Sequence, residues 1–527
     1  MSRVAIIGGG HNGLTAAAYL ARAGVDVTVL ERLPHVGGAA VSAQAFDGLD
    51  ARLSRYSYLV SLMPQQIIDD LGLDVRLARR RYSSYTPVPG GDRGLLIDAG
   101  DEAATRASFA AIGAADDADG FAAFYDRTTR LAAALFPTLT QPLPTRDAAR
   151  AAAGDASAWS EIVDAPIAQA IERAVRSDVA RGVIATDALI GTFASLADPG
   201  LEQNRCLLYH VIGGGTGDWD VPIGGMGQVS GELELAARQA GATILTGVTV
   251  TRVTPDGEVT WSEQVGGLPT DSPGVPIGTE LTAEFDLVLA GIAPHVLAGL
   301  LEPAGPSVPR PEGAQVKVNM LLSRLPRLRE DIAPEAAFGG TFHINETYSQ
   351  LERAYATAAG GAIPEPLPCE IYCHSLTDPT ILGDDLRASG AHTLTVFGLH
   401  VPDRLLTEES NERMRAELER AVLASLDSVL AEPIEPLLVE GRGGPAIETR
   451  TTRDIEASLA MPGGHIFHGQ LSWPWLDHEP TSVAEAWGVA TAHPRILVAG
   501  SGARRGGAVS GIGGHNAAHA ALELLRP

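Results

Sequence analysis

Residues 3–32 contain the feature that most restricts how this chain can fold, a strand–glycine–helix–strand unit closed by an acidic residue. Residues 4–7 are uniformly apolar, as expected for a buried parallel strand. Helix-forming residues continue to Gly24, and the sequence VDVTVLE then predicts a second strand that ends at Glu31. Three glycines with GxGxxG spacing separate the first strand from the helix: Gly8, Gly10 and Gly13. This order is typical of a βαβ unit that binds a dinucleotide.

Each part of this unit has a physical role in holding a dinucleotide. The first glycine allows a tight turn, the second lets the backbone approach a pyrophosphate, and the third lets the helix pack closely on the strand. We expect His11 and Asn12 at the helix N-terminus, where unpaired N–H groups and the positive end of the helix dipole face the phosphates. Glu31 is placed to accept hydrogen bonds from an adenosine ribose, and its charge disfavours a 2′-phosphate.

A second pair of glycines indicates which dinucleotide is bound. The sequence ERLPHVGGAA places Gly37, Gly38 and Ala39 shortly after Glu31 and Arg32. This ERxxxxGG arrangement resembles the segment that follows the ribose-binding acid in FAD enzymes of the amine-oxidase and phytoene-desaturase superfamily. The resemblance implies FAD, with the glycine backbone against its pyrophosphate and ribityl chain. A simple Gly-Gly turn is the alternative.

Residues 495–525 repeat the strand–loop–helix pattern at the other end of the chain. Residues 496–499 predict a short apolar strand, and a helix is expected from about Gly511. Between them lies a glycine-rich loop in which Gly500, Ser501 and Gly502 are expected to contact the cofactor. We also expect backbone N–H groups from Val509 to Ile512 to face the pyrimidine side of a flavin, at the positive end of the second helix.

The resemblance extends over nearly the whole chain. The segments GGGHNGLTAAAYLARAG, VPIGGMGQVS, VKVNMLL and AGSGARRGGAVSGIGGHNAA occur in this order. Together they resemble the phytoene-desaturase-like FAD oxidoreductases, closest to the branch of pyridine nucleotide-disulphide oxidoreductase domain-containing proteins. The resemblance implies that the Val250 backbone contacts the adenine. The chain departs from the name of that branch, because it has no CxxC pair and no second GxGxxG segment.

A chain of 527 residues is too long for one small core, so two domains are expected. We expect an α/β fold in which a Rossmann-like FAD-binding domain of the GR2 type is interleaved with an α+β substrate domain of mixed sheet and helices. A stretch rich in Gly, Pro and Thr, residues 254–281, predicts a hairpin with a solvent loop. The FAD-binding domain is assigned to residues 1–60, 206–297 and 445–527, and the substrate domain to residues 61–205, mostly helical, and 298–444.

Lys317 is the only lysine among 39 basic residues, and it lies in the apolar strand segment QVKVNML. Alternation places it on the same strand face as Gln315 and Asn319, toward either water or a lined cavity. By resemblance to flavin amine oxidases, in which a strand lysine holds a water beside flavin N5, Lys317 is the candidate catalytic residue. A compact ammonium can be desolvated where a guanidinium cannot. The alternative is a chance lysine in a surface salt bridge.

Three residues are candidates for substrate contacts: Tyr56, Arg505 and Trp473. Arg504 and Arg505 stand where relatives usually have His-Pro, and two cations there suit a carboxylate or phosphate. Surface salt bridges are the alternative for both. His465 and His468 are three residues apart but lack a third ligand at suitable spacing, so no metal is expected.

Composition narrows the possible partners. A formal charge of −25 argues against a nucleic-acid partner, which needs a basic face. No apolar run is long enough for a membrane span, and the first strand begins too early to leave room for a signal peptide. Three cysteines without close pairing fit a reducing compartment. We therefore expect a cytoplasmic protein without an integral membrane segment.

These observations predict an FAD-dependent oxidoreductase, that is, a dehydrogenase, oxidase or desaturase. It would take a hydride from a C–H bond of a small organic substrate to flavin N5 and pass the electrons to O2 or a quinone-like acceptor. Non-covalent FAD is expected, because no cysteine lies near the C-terminal segment. The alternatives are a flavin-dependent polyene isomerase and a catalytically silent, FAD-stabilised interaction protein.

Overall fold

The computed structural model describes residues 1–265, 275–276 and 280–526. At the nucleotide end, five strands form a parallel sheet. In spatial order these strands are β22 (Ile496–Val498), β14 (Leu287–Ala290), β1 (Arg3–Ile7), β2 (Asp26–Glu31) and β9 (Thr243–Thr246). Strand β1 is apolar throughout because both faces are covered: Val4 and Ile6 face one core, and Ala5 and Ile7 face another.

Three helices cover one face of this sheet: α1 (His11–Arg22), α10 (Met226–Gln239) and α19 (Ile512–Leu524). Helix α1 packs between the other two. Glycines permit this close packing, since a Cβ on Gly13 would lie 2.1 Å from the Gly8 carbonyl oxygen. A Cβ on Gly514 would lie 1.9 Å from the Asn12 carbonyl oxygen. The two ends of the chain therefore meet at the N-terminus of α1.

A small antiparallel sheet packs on the opposite side of the parallel sheet. It contains β10 (Val248–Val253), β11 (Glu258–Val265), β12 (Val275–Pro276) and β13 (Leu281–Glu284). The antiparallel pairing of β11 with β13 agrees with the predicted hairpin, and β11 also pairs with β10. The rest of its predicted loop, residues 266–274 and 277–279, lies outside the described residues.

A second large sheet has seven mixed strands. In spatial order they are β21 (Ile447–Arg450), β15 (Gln315–Leu322), β18 (His392–Leu399), β17 (Cys369–Tyr372), β16 (Thr341–Ile344), β6 (Tyr82–Pro87) and β7 (Gly94–Asp98). Only the β16–β6 pair is parallel among the described pairings of this sheet. Helix α16 (Asn411–Asp427) packs on one face against Val316, Val318 and Met320 of β15. The other face of β15, which carries Lys317, is left for a different neighbour.

The remaining elements connect or cover the two large sheets. The block from 61 to 205 contains α2 (Gln65–Leu71), α3 (Glu102–Ala111), α4 (Ala118–Leu135), α5 (Arg146–Ala153), α6 (Ala156–Trp159), α7 (Ile167–Ala174) and α8 (Asp178–Thr186), followed by α9 (Glu202–Val211). Later helices are α11 (Pro294–Leu300), α12 (Pro334–Ala337), α13 (Tyr348–Ala359), α14 (His374–Thr377), α15 (Asp384–Ser389), α17 (Thr452–Leu459) and α18 (Val483–Ala486). Three short strand pairs are β3 (Ser42–Gln44) with β4 (Arg52–Ser54), β5 (Leu77–Ala78) with β8 (Val221–Pro222), and β19 (Glu440–Gly441) with β20 (Gly444–Pro445).

The predicted fold class, α/β with a Rossmann-like sheet and further mixed sheet and helices, is confirmed. Two strand placements were not anticipated from the sequence. Strands β6 and β7 lie in the block expected to be mostly helical, and β21 pairs with β15 although its residues were assigned to the nucleotide domain. Such short strands carry little periodicity of their own, and their partners are distant in sequence. The division of the chain into domain segments stays a prediction.

Candidate active site

A cavity of about 480 Å³ is lined by residues from both large sheets. One part of its wall, here called the nucleotide wall, contains Gly10, Glu31, Gly38 and Val250. Another part, here called the polar wall, contains Arg80, Asp187, Glu370 and Tyr372. Lys317 and Tyr56 also line the cavity. A single space thus joins the predicted cofactor-binding residues to the predicted catalytic lysine.

The two glycine motifs meet at the nucleotide wall. Gly8 has φ +94° and turns the chain from β1 toward α1. The Gly37 N–H donates to the Gly9 carbonyl oxygen at 2.8 Å. A Cβ on Gly38 would lie only 3.2 Å from the Gly10 Cα, so the two backbone segments approach each other with no side chain between them. Helix α1 has no side-chain N-cap, which leaves its first N–H groups available to an anion.

Glu31 is held in a fixed orientation at the end of β2. Its Oε2 accepts the Gly9 N–H at 2.6 Å, and its Oε1 accepts the Leu33 N–H at 2.7 Å. Burial raises the pKa of Glu31, and these two donors oppose that shift. Each oxygen keeps a further lone pair, so the carboxyl group can still accept from a ligand hydroxyl. Arg32, also on the cavity wall, donates to the Ser458 carbonyl oxygen at 2.8 Å.

His11 and Asn12 both line the cavity, as expected for the N-terminus of α1. The Nε2 of His11 lies 3.1 Å from the Ala508 carbonyl oxygen, which ties α1 to the C-terminal loop. Burial lowers the pKa of His11 to about 4, so the imidazole is neutral at neutral pH. The Asn12 side-chain amide donates to the Gly506 carbonyl oxygen at 3.5 Å, a long contact.

The C-terminal loop contributes fewer groups to the cavity than its sequence indicated. Ser501 and Val509 line the cavity, whereas four other predicted contacts are absent from its described lining: Gly500, Gly502, Gly511 and Ile512. Gly500 instead allows close contact with Gly291, because a Cβ would lie 2.9 Å from that backbone. The Ile512 N–H donates to the Ser510 hydroxyl at 3.2 Å, so it already has a partner.

Lys317 faces the cavity from β15 and is only 2% exposed. Its Nζ donates to the Tyr56 carbonyl oxygen at 3.0 Å and lies 4.1 Å from the centroid of the Tyr58 ring. Burial lowers the pKa of Lys317 well below its usual value, with a smaller opposing effect from Glu448. The surface-salt-bridge alternative is wrong, since the amine contacts a carbonyl group and a ring inside the protein.

The structure corrects two predicted substrate contacts, Arg505 and Trp473, because neither lines the cavity as described. The Arg505 guanidinium is 1% exposed and donates to three backbone carbonyl oxygens: Thr138 at 2.9 Å, Gln141 at 2.6 Å and Trp487 at 3.1 Å. Trp473 stacks on Trp475 with ring centroids 5.1 Å apart and an interplanar angle of 11°. The Arg505 side chain therefore connects separate loops, and Trp473 packs within its own loop. Tyr56, the third candidate, does line the cavity.

The sequence did not predict the polar wall, since none of its four residues was a candidate for the site. The Tyr372 hydroxyl donates to Glu370 Oε1, and the rings of Tyr372 and Tyr58 lie 4.5 Å apart. Arg80 donates to the Thr341 hydroxyl at 3.1 Å. One signal was present in the sequence: Glu370 interrupts an apolar strand, CEIYC, much as Lys317 interrupts its own. Nothing local marks Arg80, which lies in a run of three arginines.

Burial perturbs the acids of the polar wall. It raises the pKa of Asp187 to about 7, and Arg80 opposes that shift. It also raises the pKa of Glu370, to which the nearby charge of Asp187 adds. Perturbed carboxyl groups on a cavity wall are typical of functional sites. In the absence of a ligand, this wall therefore holds protons at a pH where free carboxyl groups would not.

Other features of the described residues bear on the chemistry. The three cysteines are buried free thiols, and burial raises the pKa of each. In the described part of the chain, no group of three His, Cys, Asp or Glu side chains is arranged to hold a metal ion. No described helix combines the length and apolar character needed to cross a membrane.

Comparisons with known proteins agree with this geometry. Residues 6–66 match a family model described as an NAD(P)-binding Rossmann-like domain. The fold is shared with a putrescine oxidase structure containing putrescine, with a TM-score of 0.57 and 18% identity over 100% of this chain and 99% of that one. The fold is thus that of the amine oxidases, with a Rossmann-like domain at its N-terminal end.

Relatives identify the family more closely. The chain is 56% identical over 535 residues to Uncharacterized protein Rv0897c of Mycobacterium tuberculosis, covering 99% of this chain and 97% of that protein. It is 29% identical over 570 residues to Pyridine nucleotide-disulfide oxidoreductase domain-containing protein 2 of Mus musculus, covering 99% and 93%. The chain therefore belongs to the same family as the mycobacterial protein.

Proposed function

We propose that this protein binds FAD non-covalently and takes a hydride from a C–H bond of a small organic substrate. The observation that carries the proposal is the single cavity in which the nucleotide wall, Lys317 and the polar wall meet. A protein that used its cofactor only for stability would not need a buried amine and perturbed carboxyl groups on the wall of that cavity.

The residues of the nucleotide wall fit FAD. The uncapped N–H groups of α1 suit a pyrophosphate, and the approach of Gly10 to Gly38 leaves only backbone beside it. Glu31 keeps lone pairs for a ribose, Val250 would lie against the adenine, and Val509 would lie near the ring. When bound, FAD supplies a two-electron acceptor for hydride. Non-covalent binding is proposed because none of the described cavity-lining residues is a cysteine.

Lys317 supplies the reactive region with a small, partly satisfied amine. One of its protons is donated to the Tyr56 carbonyl oxygen, which fixes the position of Nζ. Its remaining hydrogen-bonding capacity can hold a water molecule or O2 beside the substrate. The lowered pKa favours a neutral amine, which can accept a proton as well as donate one. Apolar side chains on the same cavity, Phe397, Phe467 and Leu471, exclude bulk water.

The finer parts of the proposal concern the electron acceptor and the cellular location. We propose O2 or a quinone-like molecule as acceptor, with no requirement for a pyridine nucleotide, since a second GxGxxG segment is absent from the sequence. A cytoplasmic location fits three unpaired thiols in a reducing compartment.

The first experiment is stopped-flow absorbance of the purified protein. Its flavin is reduced anaerobically and then mixed with aerated buffer. Rapid reoxidation supports an oxidase, and slow reoxidation that a quinone accelerates supports a dehydrogenase. A colourless protein that takes up no added FAD would refute the proposal.

Lys317→Met should slow flavin reduction, reoxidation, or both. Arg324→Met is the matched control, because it removes a cation that lies just beyond the same strand and pairs with Glu432 at the surface. The control should leave both rates unchanged. Equal rates in wild type and Lys317→Met would end the catalytic assignment of this lysine.

A further inference from the structure

We propose that Glu370 and Asp187 bind a cationic nitrogen of the substrate at the polar wall, and that binding expels a proton from this pair. The assignment of the ligand as a substrate rests on the proposed function. The binding site itself rests on the geometry of the polar wall. The chemical class that it selects is a protonated amine attached to an apolar body.

One carboxyl oxygen of Glu370 has no hydrogen-bond partner among the described residues, which indicates a place where a ligand group can bind. The side chain is 4% exposed and lines the cavity. Its Oε1 accepts the Tyr372 hydroxyl, but its Oε2 accepts no hydrogen bond from any described group. Buried polar side-chain atoms in folded proteins nearly always have a hydrogen-bond partner. A nitrogen of a ligand in the cavity would supply that partner.

The charges around the pair favour a cation over an anion. Arg80 is the permanent cation of this wall, and its guanidinium already donates to the Trp219 carbonyl oxygen and the Thr341 hydroxyl. Its charge also acts on both Asp187 and Glu370. A further carboxylate, brought by an anionic ligand, would join two acids that already share one guanidinium. A ligand ammonium would instead supply the positive charge that the wall lacks.

The groups that face Glu370 and Asp187 come from several elements. They are Arg80, Tyr58, Cys206, Glu346, Tyr372, Tyr125 and, across from Glu370 in the neighbouring strand, His343. Burial lowers the pKa of His343 to about 3, so it brings no charge at neutral pH. The tyrosines and the cysteine are neutral because burial raises their pKa. Glu370 and Asp187 therefore share one permanent cation, and Glu346 is a third acid close to them.

Aromatic rings complete the surroundings of the proposed cation. Tyr58 and Tyr372 pack with ring centroids 4.5 Å apart, and Trp219 stacks on His210 on the same cavity wall. Faces of such rings attract cations, as the Lys317 amine 4.1 Å from the Tyr58 centroid and the Arg80 guanidinium 5.7 Å from the Tyr372 centroid already show. An apolar body would then lie against Ile190 and Phe397, which also line the cavity.

Proton release follows from the state of the wall before binding. Without a ligand, burial keeps the Glu370 and Asp187 carboxyl groups partly protonated near neutral pH. When an ammonium enters, an O–H bond of one carboxyl group breaks, the proton passes to the buffer, and a carboxylate–ammonium pair forms. Affinity must therefore rise with pH as long as the amine itself stays protonated.

The test is calorimetric titration of the FAD-loaded protein with n-hexylamine and, separately, with 1-hexanol, under argon. Titrations in phosphate and in Tris at the same pH measure proton release, because the two buffers differ in ionisation enthalpy. We expect hexylamine to bind about tenfold or more tightly than hexanol, since charge-assisted hydrogen bonds are the stronger ones. Its affinity should increase from pH 6 to pH 8.5, with up to about one proton released.

The variants test whether amine binding and proton release depend on Glu370 and Asp187 or on any buried acid. Glu370→Gln should weaken hexylamine binding about tenfold and reduce proton release, while leaving hexanol binding unchanged. Asp187→Asn should act in the same direction. Glu330→Gln is the matched control, because burial raises the pKa of Glu330 to about 7 although it does not line the cavity. It should leave both affinity and proton release as in wild type.

Two results would overturn the inference: equal affinity for hexylamine and hexanol, or an unchanged hexylamine affinity in Glu370→Gln with wild-type FAD content. Failure of this inference is distinguishable from failure of the proposed function. A protein that holds FAD and passes electrons to O2 or a quinone but shows no preference for the amine refutes only the cationic subsite.

Discussion

Replacing Gly13 with alanine should displace the N-terminus of α1 and weaken cofactor binding. A Cβ at this position would lie 2.1 Å from the Gly8 carbonyl oxygen and 3.4 Å from Ile6. The first contact is with backbone at the tight turn after β1, so no flexible side chain can move aside. To reach an ordinary van der Waals contact, the helix and the turn must separate by more than about 1 Å.

The cost of this separation exceeds the usual benefit of alanine in a helix. Overpacking of a closely packed site costs about 1–3 kcal/mol, whereas alanine gains only about 1 kcal/mol over glycine in a helix interior. The same shift moves the uncapped N–H groups of α1 relative to Gly38 and to Glu31, whose carboxyl group is held by the Gly9 and Leu33 N–H groups. Hydrogen bonds to a pyrophosphate depend steeply on distance, so we expect FAD affinity to fall about tenfold or more.

Gly231→Ala provides the matched control, because Gly231 lies within helix α10 and its added Cβ would meet nothing within 4 Å. This control should unfold at the same or a slightly higher urea concentration, with wild-type FAD affinity. Flavin fluorescence titration of the apoprotein and urea unfolding measure the two effects. Wild-type affinity and stability in Gly13→Ala would refute the argument from close packing.

Three further predictions concern buried cations. Lys317→Met should be more stable than wild type at pH 7, and the difference in stability should shrink toward pH 10. The folded protein lowers the pKa of this amine, so the unfolded state binds more protons in that pH window. Wild-type stability therefore rises with pH there. Urea midpoints at both pH values test this, and a constant difference would contradict it. Lys317→Arg should lower stability and FAD content, measured by urea unfolding and flavin absorbance. Arg505→Lys should cost about 2–4 kcal/mol of unfolding free energy by leaving carbonyl groups without donors, with ligand affinity unchanged by calorimetry.

The nucleotide end was predictable because its physics is local. A tight turn needs Gly8 at positive φ, and close packing needs a glycine at position 13, and both requirements appear within one short segment. Glu31 follows the same logic, since its place at the end of β2 is fixed by the strand that carries it. Sequence spacing and spatial geometry are nearly equivalent over such distances.

The polar wall was not predictable in the same way. Arg80 precedes β6, Asp187 follows α8, and Glu370 lies in β17, so only the tertiary fold brings them to one cavity. An isolated Asp or Arg in a sequence is usually a solvated charge. Arg505 shows the opposite failure: its place in the cofactor loop suggested a ligand, but carbonyl groups contributed by distant segments bind it instead.

The contrast between the sites of Arg505 and Lys317 shows why position 317 suits a lysine better than an arginine. A guanidinium has five N–H donors in a rigid fork, and burial requires acceptors for them. The site of Arg505 supplies three carbonyl oxygens. The site of Lys317 supplies one carbonyl oxygen and the face of the Tyr58 ring, and it opens on the cavity. A guanidinium there would leave donors unsatisfied and fill space beside the proposed substrate, and it could not become neutral. An amine can become neutral, and its remaining hydrogen-bonding groups face whatever molecule occupies the cavity.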